Sequence, residues 1–195
     1  GDHRDLHSFP TRRSSVYVTA ASAAFQVDTY VLPGVHINTL AEANTAISSG
    51  VQTDSSTFET INFTDSANHP GHFGNNNNFP ANSNNFALHV TTTITVASSG
   101  IYTFGTHADD GLRLKIGGNT VIYDDSNHVP QDRFGTVNLA AGTHTLDLVF
   151  WEQGGIAAVE LFVAQGNFNY FNNNFTLLSS TDGGSGVTTD GRAHV

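Results

Sequence analysis

The sequence predicts an all-β fold, an antiparallel β-sandwich or barrel with at most one or two short helices. Three observations carry this expectation. Apolar and polar residues alternate in short runs, as on strands that bury one face. Clusters of Gly, Asn, Ser and Pro separate those runs at turn spacing. Only one segment has helical character. With 195 residues and 38% hydrophobic content, the chain can build one domain with a real core.

The first fifteen residues stand apart. His7-Ser8-Phe9-Pro10-Thr11-Arg12-Arg13-Ser14-Ser15 matches one reading frame of a widely used DNA-sequencing adapter, so residues 1–15 are expected to be translated read-through and are set aside for fold reasoning. Residues 16–24 admit two readings. Ala21-Ser22-Ala23 has the small-x-small form of a signal-peptidase site, which makes the segment a signal-peptide remnant; the other reading is an Ala-rich N-terminal strand.

A β domain is expected over residues 25–178. Phe25-Gln26-Val27-Asp28-Thr29-Tyr30-Val31 alternates as a half-buried strand does. Residues 40–47 read as a short surface helix, with Thr39 as N-cap and Gly50 closing the turn after Ser48. Residues 66–85 hold Pro70, Gly71, Gly74, four consecutive Asn at 75–78 and Pro80, and read as a long loop of the functional or mobile kind. Residues 86–96 are rich in β-branched side chains, and Ser98-Ser99-Gly100 turns the chain into a strand with Tyr102 and Phe104 on one face. After Asp109-Asp110-Gly111, Leu112, Leu114 and Ile116 share a face opposite Arg113 and Lys115. Gly117-Gly118 then closes a hairpin onto 120–123. The apolar run 146–151 ends at Trp151, which reads as a core residue, and Glu152-Gln153-Gly154-Gly155 reads as the turn that returns through 158–163. Residues 179–195 are Gly-, Ser- and Thr-rich and read as a tail or linker.

Charge narrows the function. Lys and Arg total 7 against 17 Asp and Glu, a formal net charge of −10. Without Arg4, Arg12, Arg13, Asp2 and Asp5 the balance is 4 basic and 15 acidic residues, net −11. An acidic surface argues against nucleic acid and anionic membranes as partners. No cysteine is present, which excludes disulfides, a thiolate nucleophile and Cys-based zinc sites. No apolar run approaches the ~18 residues of a membrane span. A composition poor in charge and rich in Asn, Ser, Thr and Gly suits a secreted or cell-surface protein.

Asp109-Asp110-Gly111 is the most informative motif. Adjacent carboxylates repel, and a folded protein holds such a pair where a cation offsets them. Calcium takes six to eight oxygen ligands at roughly 2.3–2.6 Å from carboxylates, amides, carbonyls and water. Asp109, Asp110 and Gln153 offer side-chain oxygens, while Gly154 and Gly155 let backbone carbonyls turn toward an ion. Such an ion keeps open positions that two vicinal sugar hydroxyls can fill. His107 is a candidate sugar contact or a support for the loop, and Glu152 a contact beside the ion or to the ligand, not a ligand of the ion. Asp124-Asp125 reads as a hairpin exit loop, with a second ion site as the alternative. His69 and His72 read as solvent-exposed loop residues, since no third metal ligand clusters with them in the sequence. No nucleophile elbow or HExxH motif is present, and no pattern joins two of Glu42, Glu59, Glu152 and Glu160 as a glycosidase pair, so no enzymatic activity is expected.

Ser99-Gly100-Ile101-Tyr102-Thr103-Phe104, Asp109-Asp110-Gly111-Leu112-Arg113-Leu114, Ala141-Gly142-Thr143-His144 and Phe150-Trp151-Glu152-Gln153-Gly154-Gly155 together resemble the protective-antigen-fourteen domain family. The resemblance is strongest over residues 86–163. It implies the β-sandwich fold and, from calcium-dependent members, that Asp109 and Asp110 bind the ion across a cis peptide. It also implies that Gln153 gives its side-chain oxygen and the Gly154-Gly155 region its carbonyls. The expectation is a calcium-dependent carbohydrate-binding module of bacterial type, monomeric within a larger secreted or surface protein. Two alternatives stand: a calcium-stabilised structural or protein-interaction module, and a non-catalytic accessory domain of a glycosidase.

Overall fold

A computed structural model describes residues 25–74, 76–80 and 84–190. The readings of residues 1–24, of residues 75 and 81–83 within the 66–85 loop, and of residues 191–195 of the expected tail lie outside the described residues. In chain order the elements are β1 (Phe25–Val31), α1 (Leu40–Ser49), β2 (Val51–Phe58), β3 (Asn62–Thr64), β4 (Phe86–Val96), β5 (Gly100–Asp109) and β6 (Leu112–Ile116). They continue with β7 (Asn119–Asp124), β8 (Gln131–Leu139), β9 (Gly142–Glu152), β10 (Ala158–Gln165), β11 (Thr176–Leu177) and β12 (Val187–Thr189).

The strands form two antiparallel sheets. The larger has the order β2-β1-β4-β9-β6-β7, and β12 continues the edge of β4 beyond β1. The smaller has the order β11-β10-β5-β8, with β3 also on β10. Inward residues of the two sheets make one core: Phe86, Leu88, Ile94, Leu114, Leu148 and Phe150 from the larger, Phe104, Val159, Leu161 and Val163 from the smaller. This is the expected all-β sandwich with one helix.

The longest ladder runs along all of β4 and β9, from Phe86 opposite Glu152 to Val96 opposite Gly142. Both strands are apolar on both faces near this end because α1 covers the outside. Leu40, Ala43 and Ala46 of the helix pack with Ala87, Val149 and Trp151, so Trp151 is a core residue as its sequence context indicates. Thr39 caps the helix by accepting from the Glu42 N–H at 3.2 Å, and the Glu42 carboxylate accepts in return from the Asn38 N–H at 2.7 Å. The outside of the smaller sheet is covered by loops. Phe162 on β10 packs with Phe73, Phe134, Phe171 and Phe175. Gly105 lies opposite Phe162 in the ladder, where a Cβ would run into that ring.

The reading of residues 179–195 as a tail or linker needs correction for part of its length. Val187–Thr189 pairs antiparallel with β4, and Val187 and Ser185 are buried. Three residues are too short to show the alternation that marks a strand, so the Gly and Ser around them dominated the reading. A chain ending at Gly184 is expected to lose roughly 1.5–3 kcal/mol of stability, the burial of one valine side chain, read as a lower urea midpoint; an unchanged midpoint would mean that β12 does not hold the sheet.

Candidate cation and ligand site

Of the connections that cross between the sheets at one end of the sandwich, three frame the site. Asp110 and Gly111 link β5 to β6, residues 125–130 link β7 to β8, and residues 153–157 link β9 to β10. The reading of Glu152–Gly155 as a hairpin turn is corrected here, because β9 and β10 lie in different sheets. Gly111 allows the tightest crossing. A Cβ there would meet Trp151 Nε1 at 2.6 Å and the Asp124 carbonyl oxygen at 2.7 Å. The Trp151 N–H donates to the Gly111 carbonyl at 3.0 Å and seats the start of β6 against the end of β9.

The Asp109–Asp110 peptide bond is cis. Carboxylate oxygens of Asp109, Asp110 and Glu152 lie within 4.8 Å of one another. All three residues are buried, at 7%, 2% and 0% exposure. Asp110 is gripped from two crossings: its Oδ1 accepts from the His128 N–H and its Oδ2 from the Gln153 N–H, both at 2.9 Å. Neither oxygen of Glu152 has a hydrogen-bond partner among the described residues. The Gly154 N–H lies close enough to favour the charged form of Glu152, but it completes no bond of normal geometry.

Electrostatics follow from this crowding. Burial, then the charges of Asp110 and Asp109, push the Glu152 carboxyl up to about 9. Burial, then the charge and hydrogen bond of Asp110 and the charge of Asp65, raise Asp109 to about 7. The two described arginines are committed elsewhere, Arg113 to Asp147 and Arg133 to Asp124. Three buried carboxylates with no Arg or Lys ion pair among the described residues, one of them with no hydrogen-bond partner there, fit a hard divalent cation such as Ca2+. Asp109, Asp110 and Glu152 are the residues that would hold it.

A cavity of about 330 Å³ opens beside this cluster, near the lower end of the usual range for small-ligand sites. Asp109 and Asp110 form its floor, Gly154, Gly155 and Ile156 one wall, and Asn127, His128 and Val129 the other. Val129 is exposed at its rim. The last three residues come from the β7–β8 crossing, which the sequence did not single out. Their only signal was a polar loop after Asp124-Asp125, and nothing in that spacing shows that it reaches Asp110.

The other expected residues are placed as follows. Gln153 joins the site through its backbone; its side-chain Oε1 accepts from Asn127 at 2.5 Å, and its Nε2 donates to Asn38. Gly154 and Gly155 line the cavity, and the Gly155 N–H donates to Asn84 Oδ1 at 3.0 Å. Glu152, expected outside the ion's own ligands, sits inside the carboxylate cluster because the β4–β9 ladder buries its whole side chain. His107 is not part of the cavity lining; its Nδ1 bonds Asp132 at 2.7 Å on the outside of the smaller sheet. Asp124 meets Arg133 and His128, and Asp125 accepts from the Leu40 N–H at the helix start, so both carboxylates have protein partners. Asp65 was missed as well; it accepts from the Ala157 N–H at 3.0 Å and adds its charge to the cluster. The remaining glutamates serve the framework: Glu42 at the helix cap, Glu59 under the Ser180 N–H, and Glu160 under the N–H groups of His72 and Phe73.

Residues 41–159 match the family model of the PA14 domain. The chain belongs to that family. Its fold is similar to the PA14 domain of the antifreeze protein MpAFP, with a TM-score of 0.66 and 15% identity over 86% of this chain and 90% of that one. It is similar to a PA14 sugar-binding domain from an RTX adhesin, with a TM-score of 0.63 and 20% identity over 81% and 96%. It is also similar to the Epithelial Adhesin 9 A domain of Candida glabrata, solved with Galβ1-4GlcNAc, with a TM-score of 0.58 and 16% identity over 88% and 92%. At these identities the likeness concerns the fold. No protein with a curated description matches the chain.

The raised carboxyls give a pH dependence of definite sign. Asp109 and Glu152 bind protons more tightly folded than unfolded, so their stability contribution is fully present below about pH 4 and is lost as pH rises through about 7 and about 9. Without calcium, the melting temperature is expected to fall by roughly 5 °C or more between pH 5 and pH 9. Glu152→Gln is expected to flatten that fall. A calcium-free melting temperature that rises across this window would contradict the assignment.

Proposed function

We propose that this PA14 domain is a calcium-dependent carbohydrate-binding module of a secreted or cell-surface protein. The observation that carries the reading is the buried trio Asp109, Asp110 and Glu152 beside an open cavity, with both Glu152 oxygens free of hydrogen bonds. Supporting it, two similar structures are a sugar-binding adhesin domain and an adhesin domain in complex with a galactosyl-GlcNAc disaccharide. No helix among the described residues is long and apolar enough to cross a membrane.

In this reading Asp109, Asp110 and Glu152 hold the ion and set its charge balance. The His128 and Gln153 N–H groups fix the Asp110 carboxylate so that its free lone pairs face the site. Bound there, calcium supplies a hard centre whose open positions accept two adjacent sugar hydroxyls. Asn127, whose Nδ2 already donates to Gln153, offers its side-chain oxygen to a further hydroxyl, and the exposed Val129 side chain offers an apolar contact for the C–H face of a sugar ring. Gly154 and Gly155 carry no side chain into the cavity and leave space for the ligand. The polar floor and mixed walls suit a binding module, and each of the four candidate glycosidase glutamates has another place in the structure.

Calorimetric titration with calcium, followed by a panel of monosaccharides and galactosyl disaccharides, tests the proposal. One calcium per chain is expected, and sugar heats are expected to vanish in EDTA. Asp110→Asn, which removes one of three charges, is expected to weaken calcium at least tenfold and abolish the sugar response. Sugar binding that survives EDTA would overturn the proposal. Calcium-dependent melting with no response to any sugar would instead favour a calcium-stabilised structural module.

A further inference from the structure

We propose a second metal site on the outside of the smaller sheet, built by His72, His107 and Asp132 and suited to a first-row divalent ion such as Zn2+. One donor atom from each residue lies within 4.8 Å of the other two. His72 Nε2 and His107 Nδ1 both address the same carboxylate oxygen, Asp132 Oδ1, at 2.8 Å and 2.7 Å. Two imidazole nitrogens and one carboxylate are the donor set that zinc and its neighbours take in sites that keep open positions. Calcium, which prefers oxygen, is a poor match.

The site is built from separate elements that are held in place. His107 on β5 and Asp132 on β8 are direct cross-strand partners, so the sheet register fixes two donors. The third comes from the loop between β3 and β4. That loop is clamped where Glu160, on β10, accepts from the N–H groups of His72 and Phe73 at 2.9 Å and 3.0 Å. The His72 ring lies parallel to Phe171, with centroids 3.7 Å apart and an interplanar angle of 5°, and meets His107 edge-on at 5.0 Å. Packing therefore holds the imidazole with Nε2 turned to Asp132 before any ion arrives.

Solvent access is sufficient for entry: the side chains of His72, His107 and Asp132 are 24%, 17% and 28% exposed. Around a tetrahedral ion with bonds near 2.0–2.1 Å, neighbouring donors sit about 3.4 Å apart. Admitting the ion therefore asks the carboxylate to retreat by about 0.6 Å from the present hydrogen-bonded distances, a small rotation for a partly exposed side chain. The metal would tie the β3–β4 loop to β5 and β8.

The test is calorimetric titration of the full chain with Zn2+ while calcium at millimolar concentration occupies the carboxylate cluster. Imidazole 15N spectra of the unaltered protein are recorded alongside. One zinc per chain is expected here, with the His72 Nε2 and His107 Nδ1 resonances shifting together. His72→Ala and Asp132→Asn are each expected to weaken zinc by ~100-fold or more. His69→Ala, which removes a neighbouring loop histidine outside the cluster, is expected to leave the affinity unchanged. Equal zinc affinity in His72→Ala and His69→Ala, or no zinc-dependent shift of the two resonances, would overturn the proposal and leave a hydrogen-bonded clamp. The spectra decide the matter even if either variant fails to fold.

Discussion

The antiparallel ladder between β4 and β9 fixes where the rest of the molecule can be. Its register places Glu152 opposite Phe86 at the last rung and turns its side chain into the interior. β6 then docks on the other edge of β9, with Leu112 opposite Phe150. That pairing leaves Gly111 against Trp151 and forces Asp110 next to Glu152. A slip of β9 by one residue along β4 would turn Glu152 to the other face and take the carboxylate out of the cluster. The burial that makes a stable core on both faces of β4 and β9 also makes Glu152 costly to ionise.

Contrast with the neighbouring acids shows how unusual that cluster is. Asp124 is equally buried, but Arg133 and His128 meet it. Asp147 is met by His89 and Arg113. The fold thus spends its two described arginines on single aspartates and leaves three converging carboxylates with none. Among the described residues, Asp124 and Asp147 are paired with cationic side chains within the protein, whereas the cluster at the sheet crossings is not.

Much of this was legible in the sequence, for identifiable reasons. Strand alternation over 25–31 and 112–116 and the Thr39 cap are local signals, and they resolved into the expected elements. Asp109 and Asp110 announced themselves because adjacency in the chain is itself the anomaly. Glu152 was visible but misjudged, because its depth depends on a ladder with a strand more than fifty residues away. The 125–130 loop and Asp65 were not legible, since their roles arise only from crossings that converge in space. The same holds for His72. It is an exposed loop residue, as its sequence context indicates; what the sequence could not show is that the β5–β8 register and the Glu160 clamp bring it to two partners.

The convergence of three sheet-to-sheet crossings at one end has a consequence for how such a domain can diversify. The strands are positioned by ladders and by a core that does not include Val129, whose side chain projects into solvent beside the cavity. A different side chain at position 129 would reshape the cavity while leaving the His128 N–H on Asp110, and with it the carboxylates, in place. A lineage, or an engineer, could therefore vary that surface by point substitution without moving the buried acids beneath it.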